Sequence, residues 1–258
     1  MNNILIKVEN LVKTFGGLVA LNNCSLEIKD RAITGIIGPN GSGKTTLFNV
    51  ITGNLKPDTG KVFYNGVEIT NEESHDLFHL GVLRTFQIAH EFSNMTVIEN
   101  LMVVPGNQKG EKLLYSLMNS QKIKKEDELI KDKAMEVLKF LKIEHLKNER
   151  AGNLSGGQKK LLELARTMMV DAKIVFLDEV GAGVNKTLLR DISDSILKLN
   201  QDKGYTFCMI EHDFNFISEL CDPVIVLAEG SVLFKGSAEE VKSNEQVIES
   251  YLGKGLEK

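Results

Sequence analysis

The sequence predicts an α/β fold with a mostly parallel core sheet, an antiparallel β element and a helical subdomain. Three observations carry this. Short apolar runs alternate with helix-patterned stretches in the first and last thirds, the rhythm of a parallel sheet with crossover helices. A Gly-rich turn joins one such run to its helix. Strand-like runs then vanish between about residues 88 and 150.

In chain order, Ile33–Ile37 reads as a buried strand, with a helix near Thr45–Thr52. The middle carries two helix-like stretches, Glu111–Met118 and Lys131–Leu141. In the second, Ala134, Val137, Leu138 and Leu141 recur at helical spacing. The charge run Lys122–Lys133 is read as a solvated helix face. Ile174–Leu177 is the next buried strand, followed by a helix from about Lys186 to Asn200. Thr206–Ile210 precedes a helix over Phe214–Leu220. Pro223–Ala228 and Val232–Lys235 pair around the turn Glu229-Gly230. The expected division is a core of residues 1–86 and 171–258, with a helical subdomain over 87–170. No internal repeat or low-complexity linker interrupts this plan.

The 258 residues suffice for one large domain with a subdomain. Hydrophobic residues at 42% and charged residues at 26% describe an ordinary soluble globular chain. No apolar stretch approaches the roughly 18 residues that cross a bilayer. The N-terminus reaches Lys7 and Glu9 too soon for a secretion signal. Any membrane role is expected through a partner. The net charge of −4 gives no electrostatic footprint for nucleic acid. Cys24, Cys208 and Cys221 show no metal or redox spacing and read as buried, inert thiols.

Three segments carry chemistry. Gly38-Pro39-Asn40-Gly41-Ser42-Gly43-Lys44-Thr45-Thr46 fits G-x-x-x-x-G-K-[ST] between a strand and a helix, the context that motif requires. Its glycines let successive N–H groups turn towards phosphates, and the helix N-terminus adds a favourable dipole. Lys44 supplies a point charge for the β- and γ-phosphates, and Thr45 a hydroxyl for Mg²⁺. Asp178 and Glu179 follow the buried strand, at the sheet edge where α/β proteins bind ligands. Asp178 is expected to hold Mg²⁺, and Glu179 to orient and deprotonate water. Two acids capping the next helix would be the plainer reading, which the phosphate loop weakens.

The third segment is Leu154-Ser155-Gly156-Gly157-Gln158. Ser155 and Gln158 fit a capping box at a helix start. Capping does not explain two glycines in the first turn, where they cost helix stability. They suit a close approach of backbone N–H groups to an anion.

With these residues in view, the sequence resembles an ABC-transporter ATP-binding subunit over essentially its full length. Residues 154–158 resemble the ABC signature, 38–46 the Walker A loop and 174–179 the Walker B strand with its catalytic Glu. Within this resemblance Gln87 is the glutamine that links nucleotide and metal to the membrane partner. His212 is the switch histidine on the γ-phosphate, and Phe15 the aromatic that stacks on adenine. Residues 14–18, 81–87, 94–100, 181–185 and 211–213 are similar to the branched-chain amino-acid importer ATPases.

The resemblance implies a P-loop NTPase of the ABC cassette type that hydrolyses ATP with Mg²⁺. Glu179, His212, Gln87 and Lys44 would be catalytic, with Thr45, Gln87 and Asp178 on the metal. Two ATP molecules would be sandwiched between this chain and a second ATP-binding subunit, identical or different. Ser155, Gly156, Gly157 and Gln158 would reach nucleotide held by that other chain. Two transmembrane permease subunits and, indirectly, a solute-binding protein complete the expected assembly at the cytoplasmic face of the membrane. Another single-cassette ABC system, for urea or amide import or lipid or lipopolysaccharide export, stays open, as does a soluble ABC ATPase.

Overall fold

The computed structural model describes residues 3–85, 91–106, 108 and 120–252. Two compact units divide the chain. The first comprises Met1–Gln87, Lys173–Ala182 and Ile196–Lys258; the second comprises Ile88–Ala172 and Gly183–Ser195.

The first unit holds two sheets. One is four-stranded and antiparallel: β1 (Ile4–Phe15), β2 (Leu18–Lys29), β4 (Thr59–Tyr64) and β5 (Val67–Glu68) in the order β2-β1-β4-β5. The other has six strands in the order β10-β9-β3-β8-β7-β6. It is built from β3 (Ile33–Ile37), β6 (Val82–Arg84), β7 (Ile174–Asp178), β8 (Thr206–Ile210), β9 (Val224–Ala228) and β10 (Ser231–Gly236). All its pairings are parallel except β9 with β10.

Every residue of β3, β7 and β8 is buried, which is why these strands read as unbroken apolar runs. Leu47, Phe48 and Ile51 of α1 (Lys44–Ile51) join Ile36, Phe176, Ile210 and Leu227 in the core with Ile6, Leu21 and Ile28 of the antiparallel sheet. Phe48 meets Phe176 edge-on at 5.0 Å between centroids, a favoured aromatic geometry. Gly35 lets α7 (Phe214–Leu220) approach closely: a Cβ there would lie 3.0 Å from Ile217 and 3.1 Å from Cys221.

The second unit is helical among its described residues. It contains α3 (Val97–Met102), α4 (Ser120–Phe140) and α5 (Gly156–Met168). A capping box between Thr96 and Glu99 starts α3. Asn100, wholly buried, bonds the backbone of Phe92 and Thr96 and so fixes the entering loop. Ala134, Val137, Leu138 and Leu141 form the buried stripe their spacing predicts. The remaining helices are α2 (Ser74–His79), α6 (Lys186–Lys203), α8 (Ala238–Ser243) and α9 (Glu245–Leu252). The expected helix over Glu111–Met118 lies outside the described residues.

Candidate nucleotide site

The carboxyl ends of β3, β7 and β8 lie side by side, because those strands are parallel neighbours. The chain leaves β3 into the phosphate loop. Gly38 takes φ 154° and Gly43 φ 99°. A Cβ would fall 2.2 Å from the Leu227 carbonyl oxygen at Gly38, and 2.4 Å from that of Ala20 at Gly43. Only glycine fits both the dihedrals and the space. Asn40 and Thr45 are exposed, Pro39 and Thr46 half-buried, and Ser42 buried.

Lys44 is 6% exposed. Its ammonium donates to the carbonyls of Gly38 (2.8 Å) and Pro39 (3.0 Å). These two carbonyls hold the cation over its own loop. Asp178 ends β7 and is 2% exposed. Its Oδ2 accepts from Arg84 Nη2 at 2.7 Å, and Arg84 Nη1 also donates to Asn49 of α1. Arg84 sits on β6 directly opposite Phe176. Three segments are thereby tied together: the helix behind the phosphate loop, the acid of β7 and the strand before Gln87. A buried pair of this kind is costly to break from one side, at about 3–5 kcal/mol, because the survivor is left charged and dry.

Glu179, the next residue, has φ 51°, in the left-handed region. For a non-glycine residue that costs about 1–3 kcal/mol and persists only when neighbours enforce it. Four hydrogen bonds surround it. Its N–H donates to the Ile210 carbonyl (2.9 Å), and its carbonyl accepts from Ala182 (3.2 Å). Its Oε1 meets His212 Nε2 at 2.9 Å. Gly181 N–H donates to Glu211 Oε1 at 2.8 Å. Burial pushes the Glu211 carboxyl up to about 6, with the Gly181 N–H opposing and the nearby Glu179 charge adding to the rise.

Ser155–Gln158 open α5 in the helical unit. The Ser155 hydroxyl accepts from Gln158 N–H at 3.4 Å, and Gln158 Oε1 accepts from Ser155 N–H at 2.9 Å, as the capping box requires. Gly156 faces open space, whereas a Cβ on Gly157 would lie 2.2 Å from Leu188 Cδ2. Gly157 thus has a packing reason that the sequence did not disclose. Phe15 ends β1 and is 48% exposed, with Lys13 Nζ 5.8 Å from its ring centre. Gln87 lies outside the described residues.

The residues present fit a nucleotide with a hard cation. The loop leads into the N-terminus of α1, and side chains are sterically excluded from it at two glycines. Asp178 and Thr45 offer the oxygen donors that Mg²⁺ takes in small number alongside phosphate oxygens. Among the described residues no cluster of three His, Cys, Asp or Glu could hold a metal.

Sequence reasoning assigned no role to Arg84, Asn49, Glu211 or Tyr251. Arg84 and Glu211 lie inside the quoted motifs, but only strand pairing reveals their partners. Tyr251, on α9, lies beside Gly38: burial raises its hydroxyl and the Gly38 backbone opposes the rise, and nothing local signals it. The three cysteines are buried. Burial raises the Cys24 thiol to about 11 and pushes Cys208 and Cys221 up as well.

Comparison with known proteins agrees with this geometry. Residues 21–182 match the family model described as ABC transporter, and 231–257 that of the branched-chain amino acid ATP-binding cassette transporter. The chain is 43% identical to the probable branched-chain amino acid transport ATP-binding protein LivG of Archaeoglobus fulgidus, covering 96% of this chain and 95% of that one. It is 34% identical to the high-affinity branched-chain amino acid transport ATP-binding protein BraF of Pseudomonas aeruginosa, covering 98% and 99%. Among solved structures, a nucleotide-free ATP-binding cassette from an ABC transporter matches with TM-score 0.83 at 41% identity, over 96% of this chain and 98% of that one. A dimeric cassette in a post-hydrolysis state, bound to ADP and phosphate, matches with TM-score 0.74 at 25% identity, over 91% and 99%. The chain therefore belongs to the ABC transporter family and is an ATPase subunit of its branched-chain amino acid transport group.

Proposed function

We propose that this chain powers the import of branched-chain or related amino acids, by binding and hydrolysing ATP between itself and a second ATP-binding subunit. The observation that carries the ATPase half is the Glu179–His212 pair, 2.9 Å apart at the carboxyl edge beside a phosphate loop. The names of the relatives support the cargo class.

In this reading the phosphate-loop N–H groups and Lys44 bind the triphosphate, whose oxygens replace the Gly38 and Pro39 carbonyls as partners of the ammonium. Phe15 stacks on the adenine. Thr45, Asp178 and Gln87 would hold a magnesium ion, whose charge would offset the negative charge that develops on the phosphates. Glu179 orients water and takes its proton. His212 steadies Glu179 and contacts the terminal phosphate. Ser155, Gly156, Gly157 and Gln158 supply donors to nucleotide on the other subunit, where negative charge must be held.

The core, residues 1–86 and 171–258, carries the nucleotide chemistry, and the helical subdomain, 87–170, passes the motion to two permease subunits. A solute-binding protein delivers cargo to those permeases, not to this chain. No helix of the described residues is long and apolar enough to cross a membrane; in this reading the chain attaches through the permeases, at the cytoplasmic face.

Affinity purification of the tagged chain from its native membranes tests the transport half. Two polytopic proteins, a second ATPase and a solute-binding protein are expected. Recovery from the soluble fraction alone, or with ribosomes, overturns transport and leaves the ATPase standing.

A further inference from the structure

Glu211 is a carboxylate with no place in the mechanism above. It follows β8 directly and is 4% exposed. Such a group persists in a core only when something depends on it or pairs with it. Its Oε1 accepts from a backbone N–H, that of Gly181, at 2.8 Å. Gly181 lies two residues beyond Glu179, in the turn that the Glu179 carbonyl closes with Ala182. Glu179 itself is held at φ 51°.

We propose that Glu211 is a positioning residue: through Gly181 its carboxylate clamps the turn that keeps Glu179 left-handed and facing His212. The proposal rests on the reading of Glu179 as the base. Two neighbouring strand ends then act as one device. β7 delivers Glu179, and β8 delivers both His212, which touches its carboxylate, and Glu211, which pins its backbone. Without the clamp Glu179 relaxes towards ordinary dihedrals, and its carboxylate swings from the place where water must be met. A small displacement of a positioned base is costly in rate.

The clamp is charge-assisted, since a carboxylate holds an N–H more tightly than a neutral acid does. The groups facing Glu211 are Glu179 and the Gly181 N–H from the β7 turn, His212 on its own segment, and the Cys221 thiol beyond α7. Burial and the Glu179 charge raise the Glu211 carboxyl to about 6 against the Gly181 and His212 contributions. The clamp therefore weakens as pH falls through that value, and turnover falls with it.

The test uses the full-length chain, with phosphate release measured against ATP concentration and pH, and melting temperature as a fold control. Glu211→Leu removes the acceptor and is expected to lower kcat by about tenfold or more with KM for ATP within about twofold, the signature of an interaction that matters in the reacting complex. Glu211→Gln keeps an acceptor but not the charge. It is expected to turn over more slowly than the unaltered chain at pH 7.5, with a shallower acid limb near pH 6. Unchanged kcat in Glu211→Leu overturns the proposal, as does a parallel worsening of kcat and KM. Should that variant fail to fold, Glu211→Gln decides alone: an acid limb identical to that of the unaltered chain overturns the clamp. Glu179→Gln, run beside them, separates the two ideas. Its expected loss is at least about 10²-fold. Active Glu179→Gln sinks the role of Glu179 itself; inactive Glu179→Gln with fully active Glu211 variants sinks only the clamp.

Discussion

The phosphate loop and the signature at the start of α5 both present backbone N–H groups at a helix N-terminus, yet they are shaped by different means. The loop is shaped from outside. Gly38 and Gly43 have positive φ, and the atoms that forbid a side chain there are carbonyls of Leu227 and Ala20, far away in sequence. The signature is shaped from within. Ser155 has ordinary extended dihedrals, and its cap is completed by Gln158 three residues on. A conformation imposed by distant backbone has no slack. One written into five consecutive residues tolerates change wherever space is open.

Three glycine substitutions sharpen that contrast. Gly43→Ala is expected to be the most damaging. It puts a Cβ 2.4 Å from a carbonyl oxygen at a dihedral disfavoured for alanine, and backbone strain and overpacking together cost about 3 kcal/mol or more. Chemical denaturation and nucleotide titration would both register it. Gly157→Ala meets the flexible end of Leu188, so the expected loss is about 1–3 kcal/mol. Gly156→Ala meets nothing within 4 Å and should stabilise the helix start by about 0.5–1 kcal/mol. Loss of turnover in Gly156→Ala despite that gain would show that this glycine serves a backbone approach to nucleotide rather than folding. A stable, active Gly43→Ala would erase the distinction between the two regions.

How much was legible follows the same division. β3 and β8 appear where their apolar runs place them, because strands covered on both faces need no periodicity to be recognised. The capping box at Ser155 was legible because its logic is local. β1 and β2 were not. They are twelve-residue antiparallel strands whose pairing is interrupted by register shifts, which scramble the alternation that marks a half-buried strand. Arg84 and Glu211 were visible as letters of motifs but silent about their work. The partner of Arg84 stands 94 positions away on β7, and that of Glu211 30 positions away. The two glycines of the signature read alike in sequence, yet one is open and one is packed against Leu188.

The burial of Cys24, Cys208 and Cys221 has a practical consequence. Reagents such as maleimides attack thiolates, and thiols that are hidden and held protonated are poor targets. The native chain thus offers a quiet background for a single engineered surface cysteine. A spin or fluorescent label placed on α5 would then report on the signature helix through a cycle of nucleotide binding and release, with every native sulfur left in place.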